Sequence, residues 1–429
     1  MLKDWKRWAT AAVATVAAVG LLGACGAGSG SGDSDRTKIT IFNSKMEIQS
    51  QFEELAETYS EAHDVDVEVY YSSDTVAAHL ATKYAANQPY TISMVDAKDV
   101  YSLAEEHALD LSDQSWVSDT DQAIAIDGKT YGFPVTIEAR GLIYNADAIK
   151  KATGKDFDPS TIKTTEDLEQ LISDLKAGGM ETPVGIMKED WSLAAHYLPQ
   201  VYEEQTDPAA FIQSLHDGAD LNADARWTSL MNTFDVLKEN NYAQGDKAIS
   251  AEREVTEQKL AQGDIALMFG GNWDWSVLNQ YEPTENMGMM PVPQDDNDLE
   301  VQDKLVGGGS KYFFIDSSEN TSEAQQKAAK DFLTWLAEDK EGQEWLVNTA
   351  NLVSPFKSNT LTVADPLGKS VKEYADAGKL IDNYNYLPDD HYSVLGAQFQ
   401  KYLAGQSDRA TLATQIVDYW KSNDMSTIK

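Results

Sequence analysis

Hydrophobic and polar positions repeat with two alternating periods along most of the chain. A short apolar run at 39–42 predicts a strand, and residues 47–63 place their apolar side chains on one helical face. Residues 65–71 then alternate between apolar and polar, as in a half-buried strand. This strand, helix and strand in sequence predict a parallel β-sheet with a crossover helix.

The same alternation continues to the C-terminal part of the chain. It predicts helices at 76–86 and 99–107, strands at 91–95, 142–144, 184–187, 264–269 and 312–315, a hairpin turn at Asp127-Gly128, a helix capped by Thr164 and Asp167, and a helix with Asn272 at its N-cap. Two α/β blocks in series predict two lobes. A ligand is expected in the cleft between them, because open α/β sheets bind ligands at such crevices.

The first 36 residues depart from this pattern. A basic start with Lys3, Lys6 and Arg7 precedes an apolar run at 9–22, which is short for a membrane span and typical of a signal peptide. Leu22-Gly23-Ala24-Cys25 resembles the lipobox of bacterial lipoproteins, which implies cleavage before Cys25 and lipidation of its thiol. The alternative is a structural cysteine behind an ordinary signal peptide. We therefore predict a signal peptide at 1–24 and a lipidated Cys25 with a Gly/Ser tether at 25–36.

Charge and cysteine content narrow the possible partners. The chain carries 34 Lys and Arg against 70 Asp and Glu, a formal net charge of −36. Such a body repels nucleic acid and anionic lipid headgroups, so we expect no nucleic-acid partner and membrane contact only through the lipid anchor. Cys25 is the only cysteine, so no intramolecular disulfide can form.

Motifs for cofactor or metal chemistry do not occur in the sequence. The six histidines and single cysteine have no metal-ligand spacing, Gly307-Gly308-Gly309-Ser310-Lys311 lacks the spacing of a phosphate-binding loop, and no nucleophile elbow is present. We predict no cofactor and no metal. With 70 acidic residues, a glycosidase carboxylate pair stays open as an alternative, as does a surface glycan adhesin.

Three stretches of the chain resemble the extracellular solute-binding family that includes maltose-binding protein. They lie at 131–145, at 259–273 and at 329–346, and the second is the most specific, with KLAQGDIALM followed by Gly271-Asn272-Trp273. The glycines at 307–309 before a strand support the likeness, which extends in order and spacing over 37–420.

The resemblance implies an α/β, two-lobed periplasmic-binding-protein fold of the type II-like kind, with two doubly wound domains joined by a three-segment hinge. We place the crossings near 136–138, 289–293 and 338–345. Lobe 1 then comprises 37–137 plus 291–340, and lobe 2 comprises 138–290 plus 341–429.

Candidate ligand-binding residues come from the resemblance and from strand ends. The resemblance implies a stacking role for Trp273, a second aromatic contact at Trp191 and a ligand-contacting carboxylate at Glu138. The family motifs add Asn272 and Gly308. Polar residues after predicted strands, where ligands sit in α/β sheets, add Asn43, Lys45, Glu47 and Asp96, and a C-terminal aromatic and acidic cluster adds Asp390 and His391. Each has an ordinary structural alternative, such as core packing, a hinge position or a helix cap.

The predicted function is that of an oligosaccharide-binding lipoprotein on the outer face of the cytoplasmic membrane. It would act as a monomer, deliver sugar to ABC permease subunits and carry out no catalysis. Asn43-Ser44-Lys45-x-Glu47-Ile48 resembles raffinose- and isomaltose-type binding proteins, which favours a short α-galactoside or α-glucoside as the ligand.

Overall fold

The computed structural model describes residues 36–72, 75–295, 299–426 and 428. The predicted signal peptide, Cys25 and tether residues 25–35 lie outside the described residues. Within the described ranges, no helix combines the length and apolar character needed to cross a bilayer.

Strands and helices alternate along the described chain, as the sequence predicted. The strands are β1 Thr37–Asn43, β2 Val65–Tyr71, β3 Ile92–Asp96, β4 Ile124–Ile126, β5 Lys129–Asn145, β6 Val184–Gly185, β7 Leu267–Gly271, β8 Met287–Met290, β9 Leu305–Ile315 and β10 Leu380–Ile381. The helices are α1 Gln49–Ala62, α2 Val76–Ala85, α3 Ala97–His107, α4 Ala146–Thr153, α5 Thr165–Ala177, α6 Gln200–Glu203, α7 Pro208–His216, α8 Ala225–Glu239, α9 Arg253–Gln262, α10 Trp275–Leu278, α11 Leu299–Gln302, α12 Glu323–Glu338, α13 Lys340–Glu344, α14 Pro366–Asp376, α15 His391–Leu403 and α16 Arg409–Ser422. Two π-helical turns occur at Ser192–Tyr197 and Trp345–Thr349.

The strands form one mixed sheet with two halves. Its main path runs β2-β1-β3-β9-β5-β7-β6, with β4, β8 and β10 paired alongside. The first half contains β1, β2 and β3, and β1 pairs in parallel with the other two, which confirms the predicted parallel unit. The second half contains β6, β7 and β8.

Two long antiparallel strands, β5 and β9, are shared by both halves. They pair from Phe133 opposite Phe313 to Arg140 opposite Val306, and β5 then continues to pair with β7 and β8. The pairing register shifts twice between Pro134 and Ile137. Proline has no N–H to donate, and the amide of Ile137 donates to the carbonyl of Val353 at 2.9 Å instead of to the ladder. The irregularity therefore lies where the chain passes from one half to the other.

Apolar side chains cover both faces of the sheet. In the first half, Phe42 and Phe314 face one hydrophobic cluster, while their neighbours Ile41 and Phe313 face another. The second half repeats this arrangement, with Leu142 facing a separate cluster and Ile143 facing the one shared with the first half. Burial of each large apolar side chain contributes about 1.5 to 3 kcal/mol. The alternation of single strand positions between opposite cores confirms the doubly wound α/β expectation.

The segment 345–370, which ends in α14, contacts both halves. Trp345 packs against Phe52 with ring centroids 5.3 Å apart, and Phe356 packs against Phe133 at 5.2 Å. Further along, Ser370 of α14 accepts a hydrogen bond from the amide of Met289 in β8 at 3.2 Å. This segment therefore connects the two halves independently of β5 and β9.

Local predictions differ from the structure at a few element ends. The Asp127-Gly128 hairpin is confirmed, with both residues at positive φ (50° and 79°). The predicted N-cap at Asn272 is wrong, because Asn272 already lies inside a 3₁₀ turn that begins after Gly271. The strand predicted at 264–269 begins later, at Leu267, because the amides of Asp264 and Ile265 still donate to the carbonyl of Lys259 at the end of α9.

Candidate ligand-binding cleft

A cleft of about 890 Å³ lies between the two halves of the sheet. The first half contributes the loop after β1 and the start of α3, and the second half contributes the π-turn Ser192–Tyr197, the start of α9 and the turn after β7. The shared strands β5 and β9 supply Glu138 to Arg140 and Gly309 to Lys311. This volume lies within the range of about 300 to 1,000 Å³ typical of small-molecule sites.

A buried ion pair joins the first half to the shared strand β5. The ammonium of Lys45 lies 2.7 Å from the Glu138 carboxylate and 2.7 Å from that of Glu47. Burial alone would lower the pKa of Lys45, but the two carboxylates more than offset it and raise that pKa. Burial alone would raise the pKa of Glu138, whereas Lys45 and the hydrogen bonds to the carboxylate lower it. Both groups are therefore charged at neutral pH.

Arg140, two residues further along β5, ties the strand to the second half. Its guanidinium pairs with the buried carboxylate of Glu203 and donates to Asn383 at 2.5 Å and to the carbonyl of His196 at 2.8 Å. Glu203 also accepts a hydrogen bond from the amide of Tyr384 at 3.1 Å. These contacts fix the 382–390 loop, which precedes α15, at the edge of the cleft.

Two tryptophans and a histidine form an aromatic wall on the second half. The ring of His196 lies 4.6 Å from that of Trp273 and 5.4 Å from that of Trp191. The guanidinium carbon of Arg253 lies 5.2 Å from the centre of the Trp191 ring. Burial, with a further contribution from Arg140, lowers the pKa of His196 to about 3. Its imidazole is therefore neutral at physiological pH.

The π-turn determines which residues of this segment reach the cleft. Trp191, Ala195 and His196 line it, whereas Leu193, Ala194 and Tyr197 are buried in the core of the second half. A π-turn carries one more residue per hydrogen-bonded ring than an α-helix, and such turns occur frequently at functional sites. The extra residue brings Trp191 and His196, five positions apart, to one wall.

Trp273 is held by the turn that follows β7. Its indole ring folds back over Gly271, so closely that a Cβ at this glycine would lie 2.3 Å from the ring carbon Cη2. Only glycine fits this close approach. The indole Nε1 of Trp273 is buried and has no hydrogen-bond partner among the described residues.

Charged side chains that line the cleft are paired with one another or with buried carboxylates. In the described lining, the five cationic side chains each lie within ion-pair distance of a carboxylate, namely Lys45, Lys98, Arg140, Arg253 and Lys311. The cleft therefore offers hydrogen-bonding groups without a large uncompensated charge. Within the same described residues, no group of His, Cys, Asp or Glu is placed to hold a metal ion.

Seven of the predicted ligand-binding residues lie at the cleft, and four do not. Those that line it are Lys45, Glu47, Asp96, Glu138, Trp191, Trp273 and His391. The His391 ring is nevertheless buried against Tyr202 and Trp420, and burial lowers its pKa to about 3.

The four residues outside the lining have contacts within the protein. Asn43 is buried and bonds the backbone of Lys45, and Asn272 accepts from the amide of Ala139 at 3.1 Å. Asp390 accepts from the Tyr419 hydroxyl at 2.7 Å, and Gly308 lies beside the lining residue Gly309. These contacts support the cleft from behind.

Sequence reasoning missed several residues at the cleft. Those missed include Lys98, Arg140, His196, Glu203, Arg253, Lys311 and Asn383, whereas Tyr384, Asp389 and Tyr392 belong to the predicted C-terminal aromatic and acidic cluster. Arg140 could have been found, since residues two apart on a strand face the same side and Glu138 was already a candidate. His196 could not, because a regular helical period does not place it beside Trp191.

Two sheet halves that share two long strands, with a cleft of aromatic and polar side chains between them, define a two-lobed α/β ligand-binding protein. Residues 54–379 match the bacterial extracellular solute-binding proteins, and the chain belongs to this family. The family resemblance and the two-lobed fold expected from the sequence are thus confirmed.

Individual relatives agree with this assignment. The maltodextrin-binding protein MdxE of Bacillus subtilis is 25% identical over 308 residues, covering 67% of this chain and 69% of that protein. RafE of Streptococcus pneumoniae, solved in complex with raffinose, has a TM-score of 0.73 at 18% identity, covering 90% of this chain and 99% of that chain. A binding protein of an ABC transporter from Bifidobacterium animalis subsp. lactis, in complex with mannobiose, has a TM-score of 0.64 at 18% identity, covering 90% and 94%.

Proposed function

We propose that this protein binds an oligosaccharide in the cleft and delivers it to an ABC importer. The observation that carries the proposal is the aromatic wall of Trp191, His196 and Trp273 facing charged groups that are already paired. Sugar rings present C–H groups on their faces and hydroxyls around their edges. Flat aromatic rings match the faces, and fixed polar groups match the hydroxyls.

The balance of charge favours an uncharged ligand. A charged ligand that bound Lys45 or Arg140 would have to displace a carboxylate from a largely buried ion pair. Breaking a buried ion pair is costly, on the order of 3 to 5 kcal/mol. Neutral hydroxyls can instead hydrogen-bond to the charged groups while each pair stays intact.

The relatives support a carbohydrate ligand and a transport role. Their names record maltodextrin, raffinose and mannobiose as ligands, and one of them is a component of an ABC transporter. We propose a short α-galactoside or α-glucoside for this chain, in line with the resemblance at Asn43 to Ile48. A micromolar dissociation constant, about −8 kcal/mol, would suit capture followed by release.

We also propose that the protein acts as a monomer, attached by lipidated Cys25 to the outer face of the cytoplasmic membrane. The support is the lipobox-like sequence before Cys25. Mass spectrometry of the membrane fraction tests this directly. An acylated Cys25 supports the anchor, and a Cys25→Ser protein that stays membrane-bound contradicts it.

A glycosidase is the alternative from another functional class. Such enzymes need one carboxylic acid as proton donor and a second free carboxylate. Here Glu47 and Glu138 share Lys45, and Glu203 pairs with Arg140. These pairings favour binding without catalysis. Release of monosaccharides from the tightest-binding sugar, detected by chromatography, would contradict the transport proposal.

The test is a thermal-shift screen against raffinose, stachyose, isomaltose, maltotriose and mannobiose, followed by calorimetry on every hit. A bound ligand raises the melting temperature by mass action. Trp273→Ala should weaken binding by about 1 to 3 kcal/mol, roughly 5- to 150-fold, as for buried aromatic anchors. Trp335→Ala is the matched control, since Trp335 lies outside the cleft and packs on Tyr59. Equal affinity of the two variants would remove Trp273 from the site.

A further inference from the structure

We propose that Asp274 is a positioning residue that couples the two tryptophans of the cleft, holding Trp273 through its own turn and Trp191 through Arg253. The inference rests on the proposed function for the nature of the ligand. Asp274 itself is fully buried and does not line the cleft. Any effect of this carboxylate on ligand binding must therefore act through its neighbours.

The link to Trp273 runs through the backbone. One carboxylate oxygen of Asp274, Oδ2, accepts a hydrogen bond from the amide of Gly271 at 2.9 Å. This bond closes the turn over which the Trp273 ring folds. A Cβ at Gly270 would lie 2.2 Å from the same oxygen, so the glycine leaves room for the carboxylate. The position of the Trp273 ring is thus fixed by Asp274 and two glycines.

The link to Trp191 runs through a guanidinium. The second oxygen of Asp274, Oδ1, lies 2.7 Å from Nη2 of Arg253. Arg253 in turn lies over the Trp191 ring, and it lines the cleft as both tryptophans do. A planar guanidinium can hold a bidentate or stacked arrangement that a lysine cannot reproduce. One carboxylate therefore contacts the supports of both aromatic residues.

Glu257 contacts the same guanidinium but differs from Asp274. It lies 2.9 Å from Nε of Arg253, is fully buried and shares a hydrogen bond with the Asp274 carboxyl, but the Gly271 amide donates to Asp274 and not to Glu257. Burial and the neighbouring Asp274 raise the pKa of Glu257 to about 8. Burial raises the pKa of Asp274 as well, so the two carboxyls titrate as a pair beside Arg253.

The first test needs no ligand. Indole N–H resonances of Trp273 and Trp191 are assigned in the free protein by NMR with Trp273→Phe and Trp191→Phe. Asp274→Asn should shift both resonances, whereas Arg253→Lys should shift that of Trp191 and leave that of Trp273 in place. Unshifted resonances in Asp274→Asn, or a Trp273 shift in Arg253→Lys as large as that of Trp191, would overturn the inference.

The second test measures affinity for the tightest-binding sugar of the screen. Asp274→Asn should weaken binding at least about tenfold, and Glu257→Gln should weaken it less. Asp235→Asn is the matched control, because it removes an Asp–Arg pair with Arg409 outside the cleft. An Asp274→Asn affinity equal to that of the control overturns the coupling. If Asp274→Asn does not fold, Arg253→Lys replaces it, and unchanged sugar affinity in that variant overturns the coupling equally.

The two proposals fail in different ways. A wild-type protein that binds no sugar contradicts the proposed function, while the resonance shifts still decide the role of Asp274.

Discussion

Lys45 and Glu138 form an ion pair that keeps two charged groups ionised at the cleft. Lys45 is buried and the Glu138 side chain is only 12% exposed, and each remains charged because the other lies 2.7 Å away. The net gain from such a pair is small, since desolvation offsets the attraction, but removal of one partner leaves an uncompensated charge. Losing one partner of the pair therefore costs more free energy than the intact pair contributes.

Lys45→Met should accordingly destabilise the protein by about 3 to 5 kcal/mol, because Glu138 would be left buried without its cation. Urea denaturation followed by tryptophan fluorescence measures this change. Glu47→Gln is the control: Glu47 is 40% exposed, and loss of an exposed ion pair costs about 0 to 1 kcal/mol. Equal destabilisation by the two variants would contradict the prediction.

At the residue scale, the sequence allowed prediction of the cleft where a residue type was tied to a motif. Trp273 and Glu138 belong to stretches that resemble the family, and the structure places both at the cleft. Lys311 and Asn383 belong to no such stretch. Their position depends on strand pairing and loop packing over long sequence separations, which single-residue patterns do not contain.

At the scale of elements, the turn after β7 shows how local geometry positions a functional ring. Gly271 has an extended backbone with φ of −139°, so a side chain there meets no backbone strain. The three atoms that an added Cβ would approach most closely all belong to the Trp273 ring. A side chain at Gly271 should therefore displace the Trp273 ring without preventing β7 from folding.

Gly271→Ala should therefore reduce sugar affinity by about tenfold or more while the protein stays folded, because the Trp273 ring must move. Calorimetry measures the affinity, and circular dichroism checks the fold. Gly154→Ala is the contrasting variant. Its φ of 74° is unfavourable for alanine, so it should cost about 1 kcal/mol of stability and leave sugar affinity unchanged. A Gly271→Ala protein that loses stability but keeps its sugar affinity, together with a Gly154→Ala protein that loses affinity, would contradict the role of Gly271 in placing the Trp273 ring.

Most elements could be predicted from periodicity, while some of their ends could not. Helix α3 begins at Ala97 because Asp96 and Asp99 form a capping box, two residues before the start predicted at 99. The lobe boundaries near 340 stay predictions. The packing of Trp345 on Phe52 favours a crossing later in the chain.

At the scale of the whole molecule, buried carboxylates determine how stability depends on pH. Burial raises the pKa of Glu204 to about 8, and burial with Asp274 does the same for Glu257. In the unfolded chain both titrate near pH 4.3. The folded state thus binds more protons between these values, so the stabilisation from protonation is complete below about pH 4 and is lost as pH rises through 8.

We therefore expect the melting temperature to fall as the pH rises from about 5 to 8. Glu204→Gln and Glu257→Gln, which remove the titrating groups, should each flatten this fall. Differential scanning fluorimetry across the pH range measures the slope. Glu254→Gln serves as the control, because Glu254 is paired with Tyr281 at an exposed position. If the slope of melting temperature against pH is unchanged in both Glu204→Gln and Glu257→Gln, these two carboxyls do not cause the fall.

Domain closure is the second property of the whole molecule. Lys98 of α3 lies 2.6 Å from Asp389, so one ion pair reaches from the first half to the 382–390 loop. Both side chains are more than one-third exposed, and such a pair contributes about 0 to 1 kcal/mol. We expect Asp389→Asn to change sugar affinity by less than about fivefold in physiological salt. A larger loss in calorimetry would assign this contact a direct role in holding the ligand.

The shared strands β5 and β9 have a mechanical consequence. Because the halves are joined by a hydrogen-bonded ribbon, opening must twist or bend that ribbon, and its stiffness resists the motion. The ribbon is most compliant between Pro134 and Ile137, where ladder bonds are displaced. A few residues of backbone would then limit how far the cleft opens. Their elastic deformation would return the molecule to its resting shape.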